Sequence, residues 1–277
     1  MSQVQQRNKK DFVWLKASYH FHTFHYRMPQ TAAIAAMTPF VPSPLTIKMA
    51  MFAALFQLGD IKGVKLLAKH IRDIEVKIVP PKAALSFKAF IRYVSVPEVP
   101  ECSKCGWKPP IRLPPNSEIE CERCKQRGKK VTISIKPIQE TGSYYQSRPH
   151  IREYAIFQSN LDVYVKSPIL IRDYIEKALT NIRYIGCKDS ISTCFSISEV
   201  ENPPEENQCV NKLALGIKGL VVILSDFNHN IQIKDIDEFI TKLIPGNREE
   251  KMYEVSAYTV PVNIKTIGRC KVLTREF

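Results

Sequence analysis

The chain has 277 residues, 44% of them hydrophobic, and its 40 Lys and Arg against 27 Asp and Glu give a formal net charge of +13. That length and apolar content suffice for one large domain or two small ones with a real core, and they exclude a fibrous or disordered chain. The charge favours a polyanionic partner, nucleic acid before an anionic membrane surface.

The opening MSQVQQRNKKDF is polar, with no apolar signal core, and no apolar run reaches spanning length, so a cytoplasmic protein without a membrane partner is expected. Residues 12–27 alternate as a first strand and carry His20, His22 and His25 among aromatics. His20 and His22 share one face and His25 the other. No carboxylate lies nearby in sequence to orient them, which favours packing or phosphate contact over acid–base work. The alanine-rich residues 28–37 have no clear form.

Residues 38–59, TPFVPSPLTIKMAMFAALFQLG, read as a stiff loop feeding a buried helix. Pro39, Pro42 and Pro44 hold the loop extended, Ser43 is an N-cap with Pro44 at the first helical position, and Gly59 suits a left-handed C-terminal cap. Lys48 is the one charge in an otherwise apolar helix. Its amine either emerges beside the helix N-terminus, as an anion site, or is simply solvated. An amphipathic piece at 61–71 and a strand at 75–79 follow. The strand at 85–96 contains AFIRY, which overlaps the later half of an RNA-stacking signature but lacks its basic-glycine opening; a core strand is the favoured reading.

From Pro97 the composition changes. Cys102 and Cys105, then fifteen residues, then Cys121 and Cys124 give the paired spacing of a zinc ribbon, expected to hold one structural Zn²⁺ in a closed four-thiolate site. Such a site has no open position for chemistry. Lys104, Lys108, Arg112, Arg123, Lys125, Arg127, Lys129 and Lys130 make this insert basic, and Trp107 offers a stacking surface. Cys187, Cys194, Cys209 and Cys270 are scattered and read as small buried hydrophobes.

A strand is expected over 130–138, a turn at GSYYQSRPH, two strands at 151–157 and 161–166 or one long bent one, and a helix from Ser167-Pro168. Residues 183–198 look strand-like and broken at Gly186. The acidic segment 199–207 reads as a linker. Beyond it lie a strand at 220–224, a helix capped by Asp235 or Asp237 and stopped by Pro245-Gly246, and a strand at 252–262. The order predicts an α+β fold: an RRM- or ferredoxin-like antiparallel sheet with helices over 1–96 and 131–200, an inserted zinc ribbon at 97–130 and a smaller C-terminal α/β extension at 201–277. No Walker loop, G-x-S-x-G, H-E-x-x-H or dinucleotide fingerprint is present. The remaining enzymatic alternative is a metal-independent ribonuclease using His20, His22, His25 or His150 with Tyr144 or Tyr145 and a lysine.

The aromatic first strand, Val41-Pro42-Ser43-Pro44-Leu45-Thr46, Arg152-Glu153-Tyr154, Leu161-Asp162-Val163-Tyr164-Val165 and Tyr184-Ile185-Gly186-Cys187-Lys188-Asp189-Ser190 together resemble the Cas-five family. These are RAMP subunits of class 1, here type I or Cascade-like, CRISPR effector complexes. The resemblance spans residues 12–200. It implies a non-catalytic RNA-binding subunit for antiviral defence by RNA-guided DNA interference. Such a subunit grips the 5′ handle of the CRISPR RNA, caps the backbone-subunit filament, touches the large subunit and meets target DNA indirectly. One branch of the family cleaves precursor RNA with a tyrosine, a lysine and a histidine, a set not placed on these residues. Family members carry a thumb-like excursion, and the ribbon is expected either to be or brace that thumb or, since the commoner pattern needs no metal, to contact the large subunit or the DNA entry site instead. The candidate RNA contacts are His20, His22, His25, Arg27, Ser43, Lys48, Trp107, Lys108, Arg127, Lys129, Lys130, Arg148 and Arg152. The open alternatives are a RAMP endoribonuclease and a zinc-ribbon nucleic-acid adaptor outside CRISPR.

Overall fold

The computed structural model describes residues 11–26, 35–36, 38–95, 100–108, 117–134, 146–213, 218–231, 233–243 and 252–275, with backbone alone for 35–36, 91–95 and 146–150. In chain order the first elements are β1 (Phe12–Phe21), β2 (Ala35–Ala36), helices α1 (Pro44–Gln57) and α2 (Ile61–Lys69), β3 (Glu75–Val79) and β4 (Ala83–Ser95). Next come β5 (Glu118–Glu120), a one-turn α3 (Glu122–Lys125), β6 (Thr132–Ser134), β7 (Gln146–Phe157) and β8 (Leu161–Pro168). A 3-10 turn, Ile169–Ile171, leads into α4 (Arg172–Thr180), β9 (Ser192–Val200) and β10 (Asn211–Lys212). The chain closes with β11 (Leu220–Phe227), α5 (Ile236–Lys242), β12 (Tyr253–Val260), β13 (Asn263–Ile267) and β14 (Cys270–Thr274).

Two compact units result, one of Met1–Ala89 with Arg152–Phe277 and one of Phe90–Ile151. The larger is organised on a four-stranded sheet in the order β3-β8-β1-β9, antiparallel at each junction. β1 connects through α1 and α2 to β3, and β8 through α4 to β9, and each of these strand pairs is separated by one intervening strand. Two interleaved split β-α-β units of this kind make a ferredoxin-like fold. The hairpin that would join its second and third strands is replaced by residues 80–160, so the whole insert leaves from one end of β3 and returns at β8.

Alternation along β1 puts Leu15, Ala17 and Tyr19 beneath the sheet, where Ile78, Val163 and Val165 join them. Against that face pack Ile47, Met51 and Leu55 of α1 and Ile175 and Leu179 of α4, and Val64 and Leu67 of α2 join the same core by packing on these helices. The Tyr19 hydroxyl donates to the Leu179 carbonyl at 2.7 Å, which satisfies it in the core. A second sheet, β10-β12-β11, lies against α1, and a third has the order β13-β14-β4-β7-β2.

The helix entered by the proline loop is as expected. Ser43 Oγ accepts from the Thr46 backbone N–H at 3.1 Å, Pro44 opens the helix, and Gly59 beyond its end has φ 67°. Apolar side chains surround it because a sheet lies on either side. Phe40, in the approach loop, holds φ 64° while fully buried; for a bulky residue this conformation costs about 1–3 kcal/mol, offset by its packing. Several expectations are corrected. Residues 146–150 of the expected turn belong to β7, residues 167–168 end β8 before a 3-10 turn, and residues 183–191 form a turn closed by a Tyr184–Ile191 bridge. Gly186 produces that last departure: at φ 88° it turns the chain so that Tyr26 packs where a side chain would stand. The stop at Pro245-Gly246 lies outside the described residues.

Gly186→Ala forces a Cβ to within 2.9 Å of the Tyr26 ring at a left-handed position. It is expected to lower stability by about 1–3 kcal/mol in chemical denaturation.

Candidate metal centre and nucleic-acid interface

In the smaller unit two tight turns present the four clustered cysteines to one point. The Gly106 N–H donates to the Cys102 carbonyl at 2.8 Å and the Cys102 N–H to the Trp107 carbonyl at 2.9 Å; Gly106 has φ 66°. In the second turn the Lys125 N–H reaches the Cys121 carbonyl and the Lys129 N–H the Cys124 carbonyl, both at 2.9 Å, with Gly128 at φ 70°. The β5-β6 pair, Ile119 opposite Ile133, closes the second turn. It extends the ribbon to Ser134.

All four Sγ atoms lie within 4.8 Å of one another. The separations are 3.7 Å for Cys102–Cys124, 3.5 Å for Cys105–Cys124 and 3.4 Å for Cys105–Cys121, and no disulfide forms. Four thiolates about a tetrahedral Zn²⁺ at ~2.3 Å would stand about 3.8 Å apart. These three separations lie just under that spacing and would widen slightly, so the donor set fits such an ion. The backbone N–H groups of Lys104 and Cys105 lower the Cys102 thiol to about 6, whereas burial pushes Cys124 up to about 12 and raises Cys121. Cys102 is thus ready as a thiolate, whereas Cys121 and Cys124 surrender protons when a cation arrives. Ile133, Ile119, Val131 and Trp107 pack around the sulfurs.

Around the centre the basic side chains are exposed. Lys108 faces Glu101 at 3.6 Å, and Lys125 and Lys130 share Glu120 at 3.4 and 3.5 Å. Lys104, Arg127 and Lys129 are exposed and, among the described residues, have no acidic partner.

In the larger unit the expected contacts divide. His20 and His22 are exposed with rings edge to face at 5.5 Å, as their shared face implied. His25 is buried; its Nδ1 bonds the Glu153 carbonyl at 2.8 Å, its ring lies on Tyr154, and Ser190 Oγ bridges its backbone N–H and carbonyl. Arg152 pairs with Asp189, which also accepts from the Tyr154 hydroxyl. Arg27 and the Arg148 side chain lie outside the described residues.

The emergent Lys48 amine is corrected. Lys48 is 2% exposed and its Nζ lies 2.9 Å from Asp226 Oδ1 on β11. Ser43, the other residue of that proposed phosphate site, is fully buried, and its Oγ is taken up by Thr46, the Tyr26 hydroxyl and Ser225. The helix N-terminus is filled from within because the second sheet closes over it, an arrangement no local pattern discloses. Sequence reasoning also passed over Trp14, Lys16, Lys77, Tyr164 and Lys166, which the sheet gathers on one face. The alternation in β1 was the readable signal; the pairing with β8 was not.

These features define the class: an α+β protein with a ferredoxin-like sheet and a basic four-cysteine site in its insert. No protein-family model matches the chain. A curated protein of Archaeoglobus fulgidus, CRISPR-associated protein Cas5, is 21% identical over 194 residues, covering 69% of this chain and 67% of that protein. A crystal structure of a CRISPR protein from Archaeoglobus fulgidus aligns over 96% of this chain and 92% of its own, at 11% identity and a TM-score of 0.35. The chain is thus similar to Cas5 in sequence, which bears out the resemblance read from its motifs. No helix among the described residues is long and apolar enough to cross a membrane.

Two outcomes test these assignments. Asp226→Ala, which leaves Lys48 buried without its counter-charge, is expected to cost about 3 kcal/mol or more in denaturant unfolding. Cys121→Ser is expected to abolish retention of one Zn²⁺ per chain, measured by elemental analysis after dialysis, and to open the ribbon to limited proteolysis.

Proposed function

We propose that this protein is the non-catalytic RNA-binding subunit of a type I CRISPR effector complex in the cytoplasm, holding the 5′ handle of the CRISPR RNA and capping the backbone-subunit filament. The similarity to Cas5 of Archaeoglobus fulgidus carries the reading. The ferredoxin-like sheet and the basic insert support it. In this reading one structural Zn²⁺ is held by Cys102, Cys105, Cys121 and Cys124, and the folded ribbon presents Arg127 and Lys129 to RNA phosphates or to the large subunit. Zinc contributes folding energy and no reaction step, since four thiolates leave no open coordination position. The exposed His20 and His22 contact phosphate rather than transfer protons.

Fluorescence anisotropy with cognate repeat RNA is expected to show binding that weakens steeply with salt. Arg127→Gln with Lys129→Gln is expected to reduce the slope of log affinity against log salt by about 1.4, the value for two contacts to a single strand. An unchanged slope removes the ribbon from the RNA interface. The same RNA incubated with the protein and EDTA is expected to stay intact, whereas one specific cut at the repeat would overturn the non-catalytic assignment.

A further inference from the structure

The face of the β3-β8-β1-β9 sheet turned away from the helices is built unlike an ordinary solvated sheet. Across β1 and β8, Trp14 stands opposite Lys166 and Lys16 opposite Tyr164, and β3 places Lys77 opposite Tyr164. Rings and ammonium groups therefore alternate in both directions. Lys77 Nζ lies 5.5 Å from the Trp14 ring centre, Lys16 Nζ 5.6 Å from that of Tyr164, and Lys166 Nζ 5.4 Å from Phe12 and 6.0 Å from Trp14. His20 continues the same face of β1 and is exposed. Among the described helices α1 and α4 pack beneath the sheet and α2 packs against them, while the segment after β9 reaches the edge of the open face, where Lys77 Nζ donates to the Pro204 carbonyl at 3.2 Å.

We propose that this open face is a stacking platform for single-stranded RNA, in which bases lie on Trp14 and Tyr164 and Lys16, Lys77 and Lys166 turn to phosphates. The inference rests on the RNA-binding reading above and assigns it a surface. Among the described strand residues of this face three lysines outnumber the two carboxylates, Asp162 and Glu75, which sit at its margins beside Lys16 at 3.0 Å and Lys166 at 3.8 Å. A protein partner is a poorer fit, since the centre of a protein interface is depleted in lysine and this face has one beside each ring. Bases stack on any aromatic ring regardless of sequence, and an exposed ammonium over a ring is held more weakly than a stacked base. An arriving base displaces the lysine, which then meets the phosphate that follows.

The chain has two tryptophans, Trp14 and Trp107, so Trp107→Phe in the full-length protein leaves Trp14 as the sole indole emitter. Titration with unlabelled cognate repeat RNA is expected to quench Trp14 emission, with the same midpoint as anisotropy of the labelled RNA. Tyr164→Ala, at a half-buried position on the open face, is expected to weaken binding about tenfold. Binding seen by anisotropy with Trp14 emission and Tyr164→Ala affinity both unchanged would overturn the platform and leave the RNA-binding reading standing. Absence of binding by either signal would remove both. If Trp107→Phe disturbs the ribbon, the difference in quenching between the natural chain and Trp14→Phe reads the same quantity.

Discussion

The larger unit depends on how the N-terminus of its central helix is closed. A helix that is apolar all round must be covered on every side, and its free backbone N–H groups must still find acceptors. Ser43 supplies the first acceptor, Tyr26 and Ser225 surround it, and the buried Lys48–Asp226 pair fastens the second sheet over the opening. A buried ion pair gains little over an apolar substitute, but its partners tolerate no separation once desolvated. The pair therefore specifies where β11 docks more than it adds stability.

A second buried charge works in the same way nearby. Glu153, 2% exposed on β7, accepts from the Thr38 backbone N–H at 2.8 Å and Ser86 Oγ at 2.9 Å and lies 3.2 Å from Lys271 Nζ. It thus ties the proline loop, β4 and β14 to one carboxylate. The motif Arg152-Glu153-Tyr154 splits by alternation: Glu153 points into this network, while Arg152 and Tyr154 meet Asp189 on the glycine turn. The short sequence resembling Cas-five proteins is, on this side, a set of interior fastenings.

The insert solves a different problem. Among the described residues, a few apolar side chains, Ile119, Val131 and Ile133 with them, pack around its sulfurs, a small core to hold two turns together by burial alone. Four convergent thiolates supply the missing constraint when they bind a cation, which frees the surrounding surface to be basic. The four sulfurs and the charged surface are thereby separated in space: thiols inside, lysine and arginine outside.

The proline loop, the capped helix, the paired cysteine turns and the alternation of β1 were legible because each depends on neighbours within a few residues, through fixed φ, capping geometry and side-chain period. The α+β class followed from the order of such segments. The burial of Lys48, Ser43 and His25 was not legible, because their partners Asp226, Ser225 and Glu153 arrive from distant strands whose register is set by packing. The open face of Trp14, Lys16, Tyr164, Lys166 and Lys77 was hidden for the same reason: each strand by itself shows polar alternation, and only antiparallel pairing brings ring beside ammonium. Local chemistry thus determined the pieces and the metal site. Long-range pairing decided which charges vanish into the interior and which remain at the surface.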